Sequence, residues 1–324
     1  MTVQQIHKFL EPDLARVESH VGAALRSDIG LLDATNRKLL ERPGKMLRPM
    51  LALLVAGAAG SVTEDTVRFA AAAELLHNAT LLHDDVVDGA SERRGMPTVA
   101  KMLGGGPAVL IGDYWLVKCV QEILDAQKES GRVLRIFAKT LSHLTKGELL
   151  QMEKAGDGLT TQADYLRIIY GKTASLFEAT AMSAAISACA SDEVVEQMGC
   201  FARLIGTAFQ IKDDILDYGE ALLGKPVGID LKEQKITQPL LCVLEKLAAD
   251  EQVSLRRKVA GILDHPEYAD EVRALVLSND GPALAGKVMD GYIADAVSCL
   301  SVLPSSASKE ALTALAGHIG TREK

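Results

Sequence analysis

Apolar side chains return every three or four residues along almost the whole chain, the spacing that turns one stripe of an α-helix toward a core. Proline and glycine clusters interrupt the pattern at Arg42-Pro43-Gly44, Gly104-Gly105-Gly106-Pro107, Asp157-Gly158, Gly224-Lys225-Pro226, His265-Pro266, Asp280-Gly281-Pro282 and Pro304-Ser305-Ser306. Between these breaks the periodicity predicts helices over 4–25, 27–41, 47–59, 63–88, 107–128, 131–154, 161–189, 192–218, 236–248, 252–263, 267–277 and 282–300. No segment alternates in the manner of a half-buried strand, and neither a solenoid repeat nor a low-complexity linker is present. The runs 51–56 and 179–186 are apolar on more than one face, which predicts central helices covered all round. The reading is an all-α, single-domain helical bundle spanning 1–324.

Composition sharpens this picture. Hydrophobic residues make up 48% of the chain but aromatic ones only 4%, a balance that suits a large Ala- and Leu-rich helical core better than a sandwich or barrel. The formal charge of −8 argues against a nucleic-acid partner, so cations must be sought locally. Cys119, Cys189, Cys200, Cys242 and Cys299 are widely spaced and odd in number, which predicts reduced, buried thiols and no disulfide framework. The N-terminus lacks a basic region followed by an apolar run, and no stretch reaches the roughly 18 apolar residues of a membrane span. A cytoplasmic protein is expected.

Two aspartate-rich pentads end long apolar runs: Asp84-Asp85-Val86-Val87-Asp88 and Asp213-Asp214-Ile215-Leu216-Asp217. Helical residues four apart lie about 5–6 Å from each other, so Asp84 pairs with Asp88 and Asp213 with Asp217. Oxygen-only ligands favour Mg²⁺ or Mn²⁺, and an ion held by few carboxylates completes its shell with water and substrate phosphates. A phosphorylated substrate is therefore predicted. Basic groups that could meet it flank the pentads. Lys45 and Arg48 stand at a glycine-led helix start, where free N–H groups and the helix dipole attract anions. Arg93 and Arg94 follow the first pentad, while Lys172, Lys225 and Lys235 lie around the second. His77 is two helical turns before Asp84 on the same face.

Leu81-Leu82-His83-Asp84-Asp85-Val86-Val87-Asp88 with Arg93-Arg94-Gly95, then Gly147-Glu148, Lys172-Thr173, Phe209-Gln210-Ile211-Lys212-Asp213-Asp214-Ile215-Leu216-Asp217 and Gly224-Lys225, closely resembles the trans-isoprenyl (polyprenyl) diphosphate synthases. The resemblance implies a bundle around a deep central cavity, usually a homodimer, that joins isopentenyl diphosphate to an allylic diphosphate. It implies metal ligation by Asp84, Asp88 and Asp213, supported by Asp85, Asp214 and Asp217 through waters or hydrogen bonds. It further implies that Arg93, Lys172 and Lys225, with Lys235 a weaker addition, hold the allylic diphosphate. Lys45, Arg48, His77 and Arg94 would hold isopentenyl diphosphate, and the oxygen dipoles of Thr173 and Gln210, beside Lys172, would face the allylic cation. Arg322 and Lys324 resemble a basic tail that some members fold over the site. Met46 departs from the pattern, since many members carry arginine there.

On the helix bearing Asp84, the hydrocarbon tail of a diphosphate would pass Thr80 and Ala79, then Leu76, Ala73 and Ala72, the last about 18 Å from Asp84 along the axis. Short-chain members tend to place an aromatic residue at the first two of these positions. The small residues here predict a long product of hexaprenyl to decaprenyl size, octaprenyl at the centre, with Phe137 as a candidate floor and a membrane quinone side chain as its fate. The alternative is a geranylgeranyl- or farnesyl-length product, if another helix closes the tunnel early. A terpene cyclase would lack the second pentad, a non-catalytic subunit would have eroded aspartates, and a His-Asp phosphohydrolase would need further spaced histidines.

Overall fold

The computed structural model describes residues 1–41, 44–93, 95–219 and 228–322. Helix accounts for 78% of the described residues, as the periodicity predicts. The residues group into two compact units.

The first unit comprises Met1–Ala138, Ala179–Gly199 and Val302–Leu312. Its leading helices are α1 (Val3–Ala24), α2 (Gly30–Leu40), α3 (Leu47–Ala59) and α4 (Glu64–Val87). A two-residue antiparallel ladder follows, β1 (Glu92–Arg93) against β2 (Met96–Pro97), then α5 (Val99–Leu103), α6 (Gly105–Leu124) and the start of α7 (Ser130–Lys154). Helix α4 packs on α1, α3 and α6. Its run Ala70, Ala71, Ala72 and Ala73 is fully buried, and side chains this small let neighbouring helices approach closely. Thr63 caps α4 by accepting from the Thr66 N–H at 3.1 Å, while the Thr66 hydroxyl accepts from the Thr63 N–H at 3.0 Å. Asp65, in the first turn, takes the N–H groups of Gln127 and Lys128 at 2.9 and 3.0 Å and so ties down the chain leaving α6. In α3, every residue from Met50 to Ala56 is buried, which explains why its sequence is apolar all round. Each buried leucine there contributes on the order of 1.5–3 kcal/mol.

The second unit comprises Lys139–Glu178, Cys200–Ser301 and Thr313–Lys324. It holds the rest of α7, then α8 (Gln162–Ile169), a π-helical turn (Tyr170–Ala174) and the start of α9 (Ser175–Ser187). Most of α10 (Asp192–Asp217) follows, with α11 (Ile229–Lys232), α12 (Gln238–Leu244), α13 (Ala249–Ala260), α14 (Glu267–Ser278), α15 (Gly281–Cys299) and the end of α16 (Ala307–Thr321).

The structure departs from the sequence reading in several places. The helix predicted over 161–189 is broken by the π turn, and α5, α11, α16 and the short ladder were not predicted. Cys119, Cys242 and Cys299 are buried and Cys200 half-buried, but Cys189 is exposed. It occupies the left-handed turn that ends α9, with φ +56°, so its surroundings are those of a helix terminus and not of a core. Among the described residues, no helix is long and apolar enough to cross a membrane.

Candidate active site

The first pentad occupies the final turn of α4, with Asp88 as its C-cap. Asp84 is half-buried and Asp88 exposed, one turn apart on the same face, with Thr80 and His77 continuing that face downward. Asp85 points elsewhere. It is buried, and Arg93 Nε donates to its Oδ1 at 2.6 Å. Burial lifts the Asp85 carboxyl above the usual carboxylate range, although Arg93 pulls the other way. The β1–β2 ladder folds Arg93 back onto α4, so this predicted diphosphate ligand is held beside the pentad by its own aspartate. Below Asp84, Ala79 and Leu76 are completely buried and Thr80 is half-buried, its hydroxyl donating to the His77 carbonyl at 2.8 Å. Phe137 is buried in the same unit.

Lys45 is exposed and Arg48 half-buried at the start of α3, which follows a left-handed residue, Met46, at φ +50°. The structure thus places both cations at a helix N-terminus, where the dipole reinforces their pull on an anion.

In the second unit, the π turn positions two of the predicted site residues, Lys172 and Thr173. Gly147 of α7 and Gly171 of the π turn cross so closely that a Cβ on Gly171 would lie 2.7 Å from Gly147 Cα and from the His143 carbonyl. The crossing presents Lys172, whose Nζ reaches Glu148 at 2.7 Å and Gln151 at 3.0 Å. Gly171→Ala is expected to lower the melting temperature, through overpacking worth about 1–3 kcal/mol, and to reduce kcat by displacing Lys172 and Thr173. Thermal denaturation and steady-state kinetics on the same sample check this; a wild-type melting temperature would contradict it.

Thr173 donates to Gln210 Oε1 at 2.8 Å, and Gln210 Nε2 donates to Asp214 Oδ1 at 3.1 Å. The other oxygen of Asp214 accepts the Tyr165 hydroxyl at 2.5 Å. Asp214 is only 3% exposed, and burial with the nearby Asp230 carboxylate raises its pKa against these hydrogen bonds. Asp213 is partly exposed and receives Arg322 Nη2 at 2.6 Å, while the guanidinium lies 3.8 Å above the Phe209 ring. Asp217 caps α11, accepting from the N–H groups of Ile229 and Asp230 at 3.1 Å each. Lys235 pairs with Glu233. A cavity of about 120 Å³ opens between Gln151, Tyr165, Lys172, Gln210, Asp214 and Lys235.

Thus Asp84 and Asp88 share a face of α4, and Lys172, Thr173, Gln210, Asp214 and Lys235 gather in the second unit. Arg94, Lys225 and Lys324 lie outside the described residues. Among the described residues, no three His, Cys, Asp or Glu side chains converge as an ion cage. The Asp84–Asp88 pair at the end of α4 is a hard, oxygen-only donor pair, which fits an ion that takes further ligands from phosphate. The sequence reading missed Tyr165, Gln151 and Asp230; none carries a motif, and only the folded chain shows their contacts.

A helical fold that ends two of its long helices in aspartate pentads, with lysines and a Thr–Gln pair near the second, defines a trans-prenyltransferase of the isoprenoid synthase type. The polyprenyl synthetase family model matches residues 30–276, and the chain belongs to that family. It is 36% identical over 318 residues to an octaprenyl diphosphate synthase of Haemophilus influenzae, covering 98% of this chain and 96% of the relative. A decaprenyl diphosphate synthase from Rhodobacter capsulatus superposes with a TM-score of 0.91 at 31% identity, covering 99% of each chain. A polyprenyl synthase from Caulobacter crescentus, solved with calcium and isoprenyl diphosphate, superposes with a TM-score of 0.90 at 31% identity, covering 100% of this chain and 98% of that one.

Proposed function

We propose that this enzyme condenses isopentenyl diphosphate with an allylic diphosphate, repeatedly, to a long all-trans polyprenyl diphosphate of about octaprenyl length. The observation that carries the reading is on α4: a carboxylate pair at its end, with the small, buried Ala79 and then Leu76 directly below. The long-chain products named for its relatives support it.

Asp84, Asp88 and Asp213 would hold Mg²⁺ or Mn²⁺, with Asp85, Asp214 and Asp217 fixed by their protein partners as supports. When bound, such ions draw charge from the departing diphosphate. Lys172, Arg93 and Lys225 bind that diphosphate, with Lys235 a weaker addition. Thr173 and Gln210 turn oxygen lone pairs toward the allylic cation, and neither is basic enough to trap it. Lys45, Arg48, His77 and Arg94 orient isopentenyl diphosphate, whose double bond attacks the cation left when the allylic C–O bond breaks; the released diphosphate or a nearby carbonyl then takes the proton lost from the lengthened chain, which restores a double bond. Apolar walls exclude the water that would quench the cation. In this reading both units form one domain, the enzyme works as a cytoplasmic homodimer, and its product partitions into membrane.

Incubating the pure protein with Mg²⁺, isopentenyl diphosphate and farnesyl diphosphate tests the reading by product size. Chains of six to ten isoprene units are expected; arrest at geranylgeranyl length would favour the shorter-chain alternative, and diphosphate release without extension would overturn synthesis. Lys45→Ala is expected to raise the KM for isopentenyl diphosphate about tenfold or more and to leave that for the allylic substrate nearly unchanged, since an ionic contact to phosphate is lost from one pocket. A selective effect on the allylic substrate would show the pockets to be exchanged.

A further inference from the structure

We infer that Tyr165 is a positioning residue of the condensation: through Asp214 it fixes which end of the Gln210 amide faces Thr173 and the allylic cation. The inference rests on the cation-facing role proposed above for Gln210 and Thr173.

A primary amide is a two-ended dipole of nearly symmetric shape, so packing alone does not choose between its orientations. Charge does. In the observed orientation Gln210 gives its Nε2 hydrogen to Asp214 at 3.1 Å and keeps Oε1 for the Thr173 hydroxyl at 2.8 Å. The reversed amide would set its oxygen against the carboxylate and present its NH₂, the positive end, toward the cation. Asp214 therefore acts as the selector, provided that its own carboxylate plane cannot turn.

Tyr165 supplies that restraint. Its hydroxyl donates to Asp214 Oδ2 at 2.5 Å, and the Gln238 backbone N–H approaches the same oxygen at 3.5 Å. Tyr165 and Asp214 are each 3% exposed, so removing the hydroxyl leaves a largely buried carboxylate oxygen with only the longer Gln238 contact. The linkage also joins α8 to α10: Tyr165 precedes the π turn that carries Thr173, while Gln210 and Asp214 are four apart on one face of α10. The oxygens of Thr173 and Gln210 are thus set from both sides by one chain of hydrogen bonds.

Tyr165→Phe removes only the donor. It is expected to lower kcat about tenfold, with KM for both diphosphates within about twofold of wild type. In a Gln210→Leu background, which has no amide to orient, the same change is expected to cause no further loss. A wild-type kcat in Tyr165→Phe would overturn the inference, as would an equal additional loss in the Gln210→Leu background, the signature of a merely structural role. Gln210→Leu with unchanged kcat would instead overturn the reading of Gln210 as cation-facing. Should Tyr165→Phe fail to fold, Asp214→Asn tests the same linkage at conserved volume: a loss of at least tenfold that vanishes in the Gln210→Leu background supports it, and an additive loss overturns it.

Discussion

Asp84→Ala is expected to lower kcat by about 10³–10⁵-fold, with no rescue by added Mg²⁺, because in the proposed reading the carboxylate would hold an ion that supports charge developing only as the diphosphate leaves. Several kcal/mol of such stabilisation, at a tenfold change per 1.36 kcal/mol, gives that range. Its neighbours on α4 are poor replacements. Asp85 is buried and engaged by Arg93 at 2.6 Å, and His77 lies two turns away. Asp88 alone is an exposed single carboxylate at the helix end. The substitution is at a helix terminus and not in the core, so unfolding free energy is expected to change by less than about 1 kcal/mol. Circular dichroism melts and a diphosphate-release assay across a Mg²⁺ titration check both halves. Turnover restored at high Mg²⁺ would show that Asp84 only raises metal affinity, and would remove it from the transition state.

Ala79→Phe is expected to shorten the product by several isoprene units while the first condensation survives. Ala79 lies five residues before Asp84, about 7.5 Å down the helix axis, and is completely buried. A phenyl ring there would stand in the path assigned to the growing tail. Steady-state kcat for the first addition is expected within about threefold of wild type, since Asp84, Asp88 and the basic groups are untouched. Overpacking a filled core costs about 1–3 kcal/mol, so the melting temperature must be read alongside product length. Ala79→Leu, a smaller intrusion, is expected to give an intermediate length. An unchanged product distribution from a folded Ala79→Phe enzyme would mean that the tail runs elsewhere.

The long helices were legible because each is amphipathic or wholly apolar over many turns: the predicted 47–59 and 131–154 match α3 and α7 to within a residue. Short elements were not. Helices α5 and α11 span little more than one turn, too few residues for a period to show, and they stand by capping and packing. Thr98 caps α5 through the Lys101 N–H at 3.1 Å, and Asp217, distant in sequence, caps α11. Helix α16 follows Pro304-Ser305-Ser306, which reads as a terminus although Ser306 accepts the Lys309 N–H at 3.2 Å as a helix start does. The π turn at Tyr170–Ala174 leaves no period of its own. It is stabilised by the close crossing of Gly147 and Gly171, a contact between segments that local pattern does not encode.

Sequence alone determined the helical class, the positions of the two aspartate pentads and the small residues below Asp84, because all of these follow from residue type and from the fixed geometry of a single helix. Tertiary structure alone decided what each polar group does. Asp85 and Asp214 belong to pentads of the same pattern as Asp84 and Asp213, yet Asp85 is turned to Arg93 and Asp214 to Tyr165 and Gln210. A carboxylate's role depends on its burial and on the donors within about 3 Å, and those donors come from β1, α8 and α10 through the packing of the folded chain.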